Sequence, residues 1–229
     1  MFHVKRLPKE VAMSNKAALG WMAAILAAMI AVTAVVYPHL PAVMTTHWGI
    51  NGQPNGSMSR FWGAWLVPLL SVGVAALLWL TPSIDPRRQN YAAFRTIYNA
   101  FVVAVVAFLA YADFTTLAWN LGYRLPVGKT LAPALGAIFI AAGALLRKAR
   151  PNWFVGIRTP WTLSSPAVWE KTHRLAAPAF MASGLITVLG VFWEPLMWLG
   201  VALVLVAAVG VVVYSYFAYE AEQKRGEQR

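Results

Sequence analysis

The chain has 229 residues, 59% of them hydrophobic and only 12% charged, with a formal net charge of +11. A soluble globular domain carries about 25% charged residues, so the composition excludes that class and implies a polytopic membrane protein. There is no cysteine, which excludes disulfides and thiolate metal sites.

A basic amino-terminal tail, residues 1–16, precedes an apolar stretch from Ala17 to Tyr37. That stretch is about 20 residues, longer than a signal-peptide core, and no small-residue cleavage site ends it. It is therefore expected to remain as a first helix. Five further spans follow at Phe61 to Leu80, Thr96 to Leu117, Thr130 to Leu146, Leu175 to Trp193 and Leu196 to Phe217. The predicted fold is all-α, with six transmembrane helices. Its parts are the tail, a first helix pair (17–80) joined by an outer loop (38–60), a third and fourth helix (81–146), a carboxy-terminal unit (147–217) that opens with an inner loop (147–174), and a final tail (218–229).

The basic residues orient these spans. With the amino terminus inside, the inner segments hold Lys5, Arg6, Lys9, Lys16, Arg87, Arg88, Arg95, Arg147, Lys148, Arg150, Arg158, Lys171, Arg174, Lys224, Arg225 and Arg229. The outer segments keep only Arg60, Arg124 and Lys129. Such asymmetry follows the positive-inside rule and puts both termini in the cytoplasm of a cell membrane. The charge is thus mainly a topology signal, aided by anionic headgroups. No nucleic-acid-binding fold accompanies it, so the lipid bilayer is the expected partner and direct nucleic-acid binding is not.

The outer loop, PHLPAVMTTHWGINGQPNGSMSR, holds Asn-Gly twice, at Asn51-Gly52 and Asn55-Gly56, and is expected to be compact through tight turns. Further on, Asp85 is placed to cap a helix with Pro86 at its first position, which predicts that the third helix begins near Pro86. Asp113 is the one acid well inside a predicted span. A carboxylate near hydrocarbon must face a cavity or a partner, and Arg60, His47 and Arg124 are the outer candidates. His39 and His47 with Asp113 would offer two imidazoles and a carboxylate. Their spacing matches no metal motif, and no metal or cofactor is expected. No nucleophile elbow, P-loop or dinucleotide fingerprint appears, so catalytic residues are not expected either.

The inner loop, NWFVGIRTPWTLSSPAVWEKTHR, is the densest concentration of aromatic, basic and imidazole groups in the chain. Ser164 or Ser165 can cap a helix with Pro166 in its first turn, and Trp169 and His173 would share one face of it. The two long loops share an early Trp, a Gly-Ile step, a Pro and a closing Trp, which raises the expectation of an inverted three-plus-three repeat.

The inner loop, preceded by RKARP, closely resembles the carboxy-terminal signature of the SdpI family of bacterial membrane proteins. The outer loop resembles the extracytoplasmic motif usually paired with it, and IDPRRQNYAAFR between them is similar to the family too. The outer Gly-Ser portion is commonly followed by Lys in the family, and here Arg60 keeps the charge. The resemblance implies binding rather than catalysis: a multi-pass immunity protein that protects the membrane against a secreted antimicrobial peptide. In the family's namesake it also implies recruitment of a small cytoplasmic transcriptional repressor. Carried over residue by residue, the implied binding positions are His47, Trp48 and Gly52 outside. Inside they are Asn152, Gly156, Arg158, Thr159, Pro160, Trp161, Trp169, His173 and Arg174. From the residues alone, a proton-coupled transporter or channel-like protein with Asp113 in a central cavity is the alternative.

Overall fold

The computed structural model describes residues 13–227. The charges of Lys5, Arg6, Lys9 and Arg229, counted above, lie outside that range. Chains that cross hydrocarbon must satisfy their backbone within the segment, so the apolar runs become helices. These are α1 (Asn15–Val36), α2 (Arg60–Ile84), α3 (Arg95–Asn120), α4 (Val127–Lys148), the short α5 (Pro160–Ser164), α6 (Pro166–Leu189) and α7 (Pro195–Glu227). Five of them, α1, α2, α3, α4 and α7, are long and apolar enough to cross a membrane.

Between α1 and α2 the chain departs from the all-α expectation. Strands β1 (Val43–Trp48) and β2 (Pro54–Ser59) pair as an antiparallel hairpin. The local cause is visible in VMTTHW, a short run of β-branched and aromatic residues closed by a turn. Gly52 takes positive φ in that turn, and the Gln53 N–H donates to Asn51 Oδ1 (3.1 Å). The second Asn-Gly step is not a turn: Gly56 lies in β2 opposite His47, where a Cβ would meet the His47 Cβ. Met44, fully buried, seats the hairpin on Gly63 of α2, within a cluster of Leu40, Ala64 and Leu117. On the other side, Asn120 at the end of α3 completes the sheet edge. Its carboxamide accepts from Thr45 N–H and donates to Thr45 C=O, both at 2.8 Å, as a third strand would.

The helix expected from Pro86 is also different. Asp85 ends α2, a 3-10 helix covers Arg88–Ala93, and α3 starts at Arg95 after a break at Phe94. Asp85 does not cap a continuous helix because its carboxylate is drawn into the inner loop, as described below.

The carboxy-terminal half is knit around α6. Gly136 of α4 and Gly184 of α6 meet backbone to backbone; a Cβ on either would reach within 2.6 Å of the other's carbonyl. Gly200 of α7 presses in the same way on the Ser183 carbonyl of α6. Small residues thus admit close helix approach where no hydrophobic force drives it. Flanked by α4 and α7, α6 is less apolar than its neighbours: its first turns carry Glu170, Lys171 and Arg174. It is not among the five candidate spans.

Candidate functional site

Two regions carry the residues singled out above, at opposite ends of the helices. At the hairpin end a cavity of about 330 Å³ opens between the halves of the chain. Its roof is Thr46 to Gly49 and Gly52 of the hairpin turn, and its walls come from α2, α3, α4 and the start of α7. Val67, Val127, Leu131 and Met197 give an apolar floor. Glu194 and Trp198, from the far end of the sequence, complete it. Neither was singled out from sequence, where Glu194-Pro195 reads only as a turn.

Thr115 and Thr116 satisfy their hydroxyls on carbonyls of their own helix, but the indoles here do not. The indole nitrogens of Trp48, Trp119 and Trp198 are buried without a hydrogen-bond partner. Trp48 and Trp198 line the cavity, and Trp119 stacks edge-on against Trp48 at 5.4 Å. A buried unpaired polar group costs about 1–3 kcal/mol, and such exceptions mark places where something else supplies the partner. His47 is exposed and pairs with Asn55 across the hairpin. Arg60 donates to the Pro41 carbonyl at 3.3 Å and lies over the Tyr37 ring, so it fastens the hairpin base instead of lining the cavity.

Asp113 does not join this site. Its neighbours Ala112, Thr115 and Thr116 line the cavity at the hairpin end, whereas Asp113 is fully buried toward α1. One carboxylate oxygen accepts from Thr33 Oγ1 at 3.3 Å and the other has no partner. The expected partners Arg60, His47 and Arg124 are thereby replaced by a residue of α1; Arg124 instead sits 4.9 Å from the Trp119 ring. No group of three metal-ligating side chains forms among the described residues, so His39, His47 and Asp113 are not brought together.

At the opposite end the inner loop is folded on itself. Asn152, completely buried, donates to the carbonyls of Arg150 (2.8 Å) and Val155 (2.9 Å) and accepts from the N–H groups of Phe154 (3.0 Å) and Val155 (2.6 Å). The Tyr91 hydroxyl shares its proton between Asn152 Oδ1 (3.2 Å) and Asp85 Oδ2 (3.1 Å). Asp85 also accepts from the N–H groups of Arg87 (2.7 Å) and Trp153 (2.9 Å). Burial, and next the Asp85 carboxylate, push the Tyr91 phenol well above its usual range.

Gly156 takes φ +108°, and a Cβ there would fall on the His173 ring. The approach is needed because Ile157 N–H donates to His173 Nε2 at 3.0 Å. The other ring nitrogen, Nδ1, lies 2.8 Å from the Trp169 carbonyl and must donate. His173 is therefore held as one neutral tautomer, stacked on Trp169 at 4.0 Å. It lies at the loop end of α6, ahead of the apolar part, and burial pushes its pKa down to about 4. Trp169 donates its indole N–H to Ala149 C=O at 3.0 Å. Ser165 caps α6, as the sequence leads one to expect. Thr159 caps α5 in a reciprocal pair with Thr162 and reaches Ser215 of α7 at 3.0 Å. Trp161 meets Tyr216 of α7 edge-on, Pro160 opens α5, and Arg158 donates to Trp153 C=O at 2.7 Å. Trp153, Phe154, Arg158 and Arg174 remain exposed.

Residues 148–215 match the SdpI/YfhL protein family, and residues 24–72 match a domain of unknown function, DUF1648. The first match covers the inner loop, α6 and most of α7; the second covers the latter part of α1, the hairpin and the first half of α2. Among curated proteins, the chain is 26% identical over 188 residues to "Immunity protein SdpI" of Bacillus subtilis (strain 168), covering 81% of this chain and 88% of that one. No solved structure matches.

Proposed function

From the match of residues 148–215 to the SdpI/YfhL protein family and the similarity of most of the chain to an SdpI immunity protein, we propose that it is a bacterial membrane immunity and receptor protein of that family. Its outer cavity engages a secreted antimicrobial peptide. The observation that carries this reading is the pair of unpartnered indole N–H groups, Trp48 and Trp198, over an apolar floor. A peptide supplies what that arrangement lacks: backbone carbonyls for the indoles and an apolar side chain for the floor.

The charge asymmetry supports an orientation with the hairpin outside and both termini in the cytoplasm. Equal placement of the termini requires an even number of crossings. On this reading α6 crosses as the sixth span, its modest apolarity tolerated because α4 and α7 flank it. The exposed Trp153, Phe154 and Arg158 then form a cytoplasmic surface suited to docking a small repressor, since aromatic and Arg side chains dominate binding hot spots.

The test is peptide-toxin sensitivity of cells expressing wild type, His47→Ala, Trp48→Phe and Arg158→Ala, with membrane abundance measured alongside. Loss of protection in the outer variants at full abundance is expected. Protection lost with Arg158→Ala alone overturns the outer site. A second reading, a proton-coupled transporter, draws on the buried Asp113 with its unpartnered oxygen. Proton-coupled flux in liposomes that Asp113→Asn abolishes would favour it.

A further inference from the structure

Where α3, α4 and α6 meet at the inner end, two clefts of about 740 and 590 Å³ adjoin, sharing Ala93, Arg147, Lys148 and Met181. Their rim is strongly one-signed. Arg95, Arg147, Lys148, Arg150 and Arg174 line it, against the single acid Glu170. The last four bases are exposed and, among the described residues, their side chains make no hydrogen bond or ion pair. Beneath the rim the surface is apolar: Ile97, Ala100, Ala144 and Met181. Ile97 and Ala100 lie on one candidate span and Ala144 on another, so this floor runs down into hydrocarbon. Ala100 stands about 7 Å along the helix from Arg95, roughly the depth from a headgroup to the first acyl carbons.

We propose that this groove is a binding site for one anionic phospholipid, its headgroup phosphate on the Arg147, Lys148 and Arg174 rim and an acyl chain along the floor. An acidic protein segment would satisfy the rim but not a floor that continues along the spans. A zwitterionic lipid would fill the floor but bring a cation to the bases. Basic pockets between helices at the cytoplasmic face are suited to anionic headgroups. The inference does not depend on the peptide reading, because it uses neither the hairpin nor the outer cavity.

The experiment uses the full chain purified in mild detergent. Retained lipid is read by native mass spectrometry, and the unfolding midpoint is read with added phosphatidylglycerol, phosphatidylcholine, inorganic phosphate or an acidic peptide. Phosphatidylglycerol is expected to be retained and to raise the midpoint, and the other three are not. Each base near an anionic surface contributes about fivefold in affinity, so Arg147→Gln/Lys148→Gln/Arg174→Gln is expected to weaken phosphatidylglycerol roughly a hundredfold. Ala144→Phe keeps every charge but fills the floor and is expected to weaken it too, which decides the matter if the triple variant fails to fold. Arg124→Gln, at the outer end, is expected to bind as wild type. Equal stabilisation by phosphatidylcholine, by phosphate alone or by the acidic peptide overturns the proposal. So does undiminished phosphatidylglycerol binding by a folded triple variant, or by Ala144→Phe.

Discussion

The two long loops are built from similar residues and end in opposite physical states. The inner loop, although richer in recognition-type side chains, turns several of them inward: Asn152, His173 and Trp169 make their hydrogen bonds to backbone, and Asn152 also to Tyr91, while Trp153, Phe154 and Arg158 stay exposed. The outer loop, sparser in such groups, pairs its strands and leaves the Trp48 indole without an acceptor above a cavity. Density of polar aromatic residues therefore marks a fastened joint in one place, and a smaller number of unsatisfied ones marks an open site in the other. The loops also differ in form, one a hairpin and the other an irregular run of bends leading into α5, so the sequence likeness between them does not extend to their backbone.

If the comparison holds, inner substitutions act on stability and outer ones on binding. The largest effect is expected for Gly156→Val, which combines a forbidden φ with a side chain driven into His173. Strain and overpacking together cost about 4 kcal/mol or more, seen as loss of folded protein on size-exclusion chromatography in detergent. Asn152→Ala leaves several buried donors and acceptors unpaired and should lower stability by about 3 kcal/mol in denaturant unfolding. A stable Asn152→Ala protein would dissolve the contrast.

Acid gives the next effect. The folded His173 pKa of about 4 lies below its unfolded value of about 6.5. The unfolded chain thus binds the extra proton first. The contribution of neutral His173 is complete above pH 6.5 and is lost as pH falls toward 4, on the order of 3 kcal/mol in total. His173→Phe should flatten that part of the pH–stability profile. The smallest stability effect is expected outside. Trp48→Phe and Trp198→Phe each remove an unsatisfied donor, so melting temperature should hold or rise slightly. Peptide affinity should fall up to about tenfold per indole in a binding titration.

The helices were legible because hydrophobic runs of spanning length have few alternatives in a bilayer, and their ends were marked by Ser165-Pro166 and by the basic clusters. What was hidden depends on partners distant in sequence. Thr33 faces Asp113 across 80 residues, and nothing near Asp113 announces it. Asn120 reads as a helix-end polar residue until β1 is seen beside it. Glu194 reaches the outer cavity only because α6 and α7 return it to the hairpin. The hairpin itself was masked by Gly and Asn residues that signal turns more strongly than VMTTHW signals a strand.

The glycine contacts of α6 bear on how the outer cavity can change size. Helices that touch through backbone cannot slide or rotate without collision, so α4, α6 and α7 behave as a stiff post. The hairpin is moored differently, by Met44 on one flank and by two Asn120 hydrogen bonds on the other. A change in cavity size is therefore expected to come from the hairpin, which rests on α2 and α3 by side-chain contacts, and not from the α4, α6 and α7 wall. A guest that presses on the hairpin pulls first on Asn120, at the tip of the helix that buries Asp113.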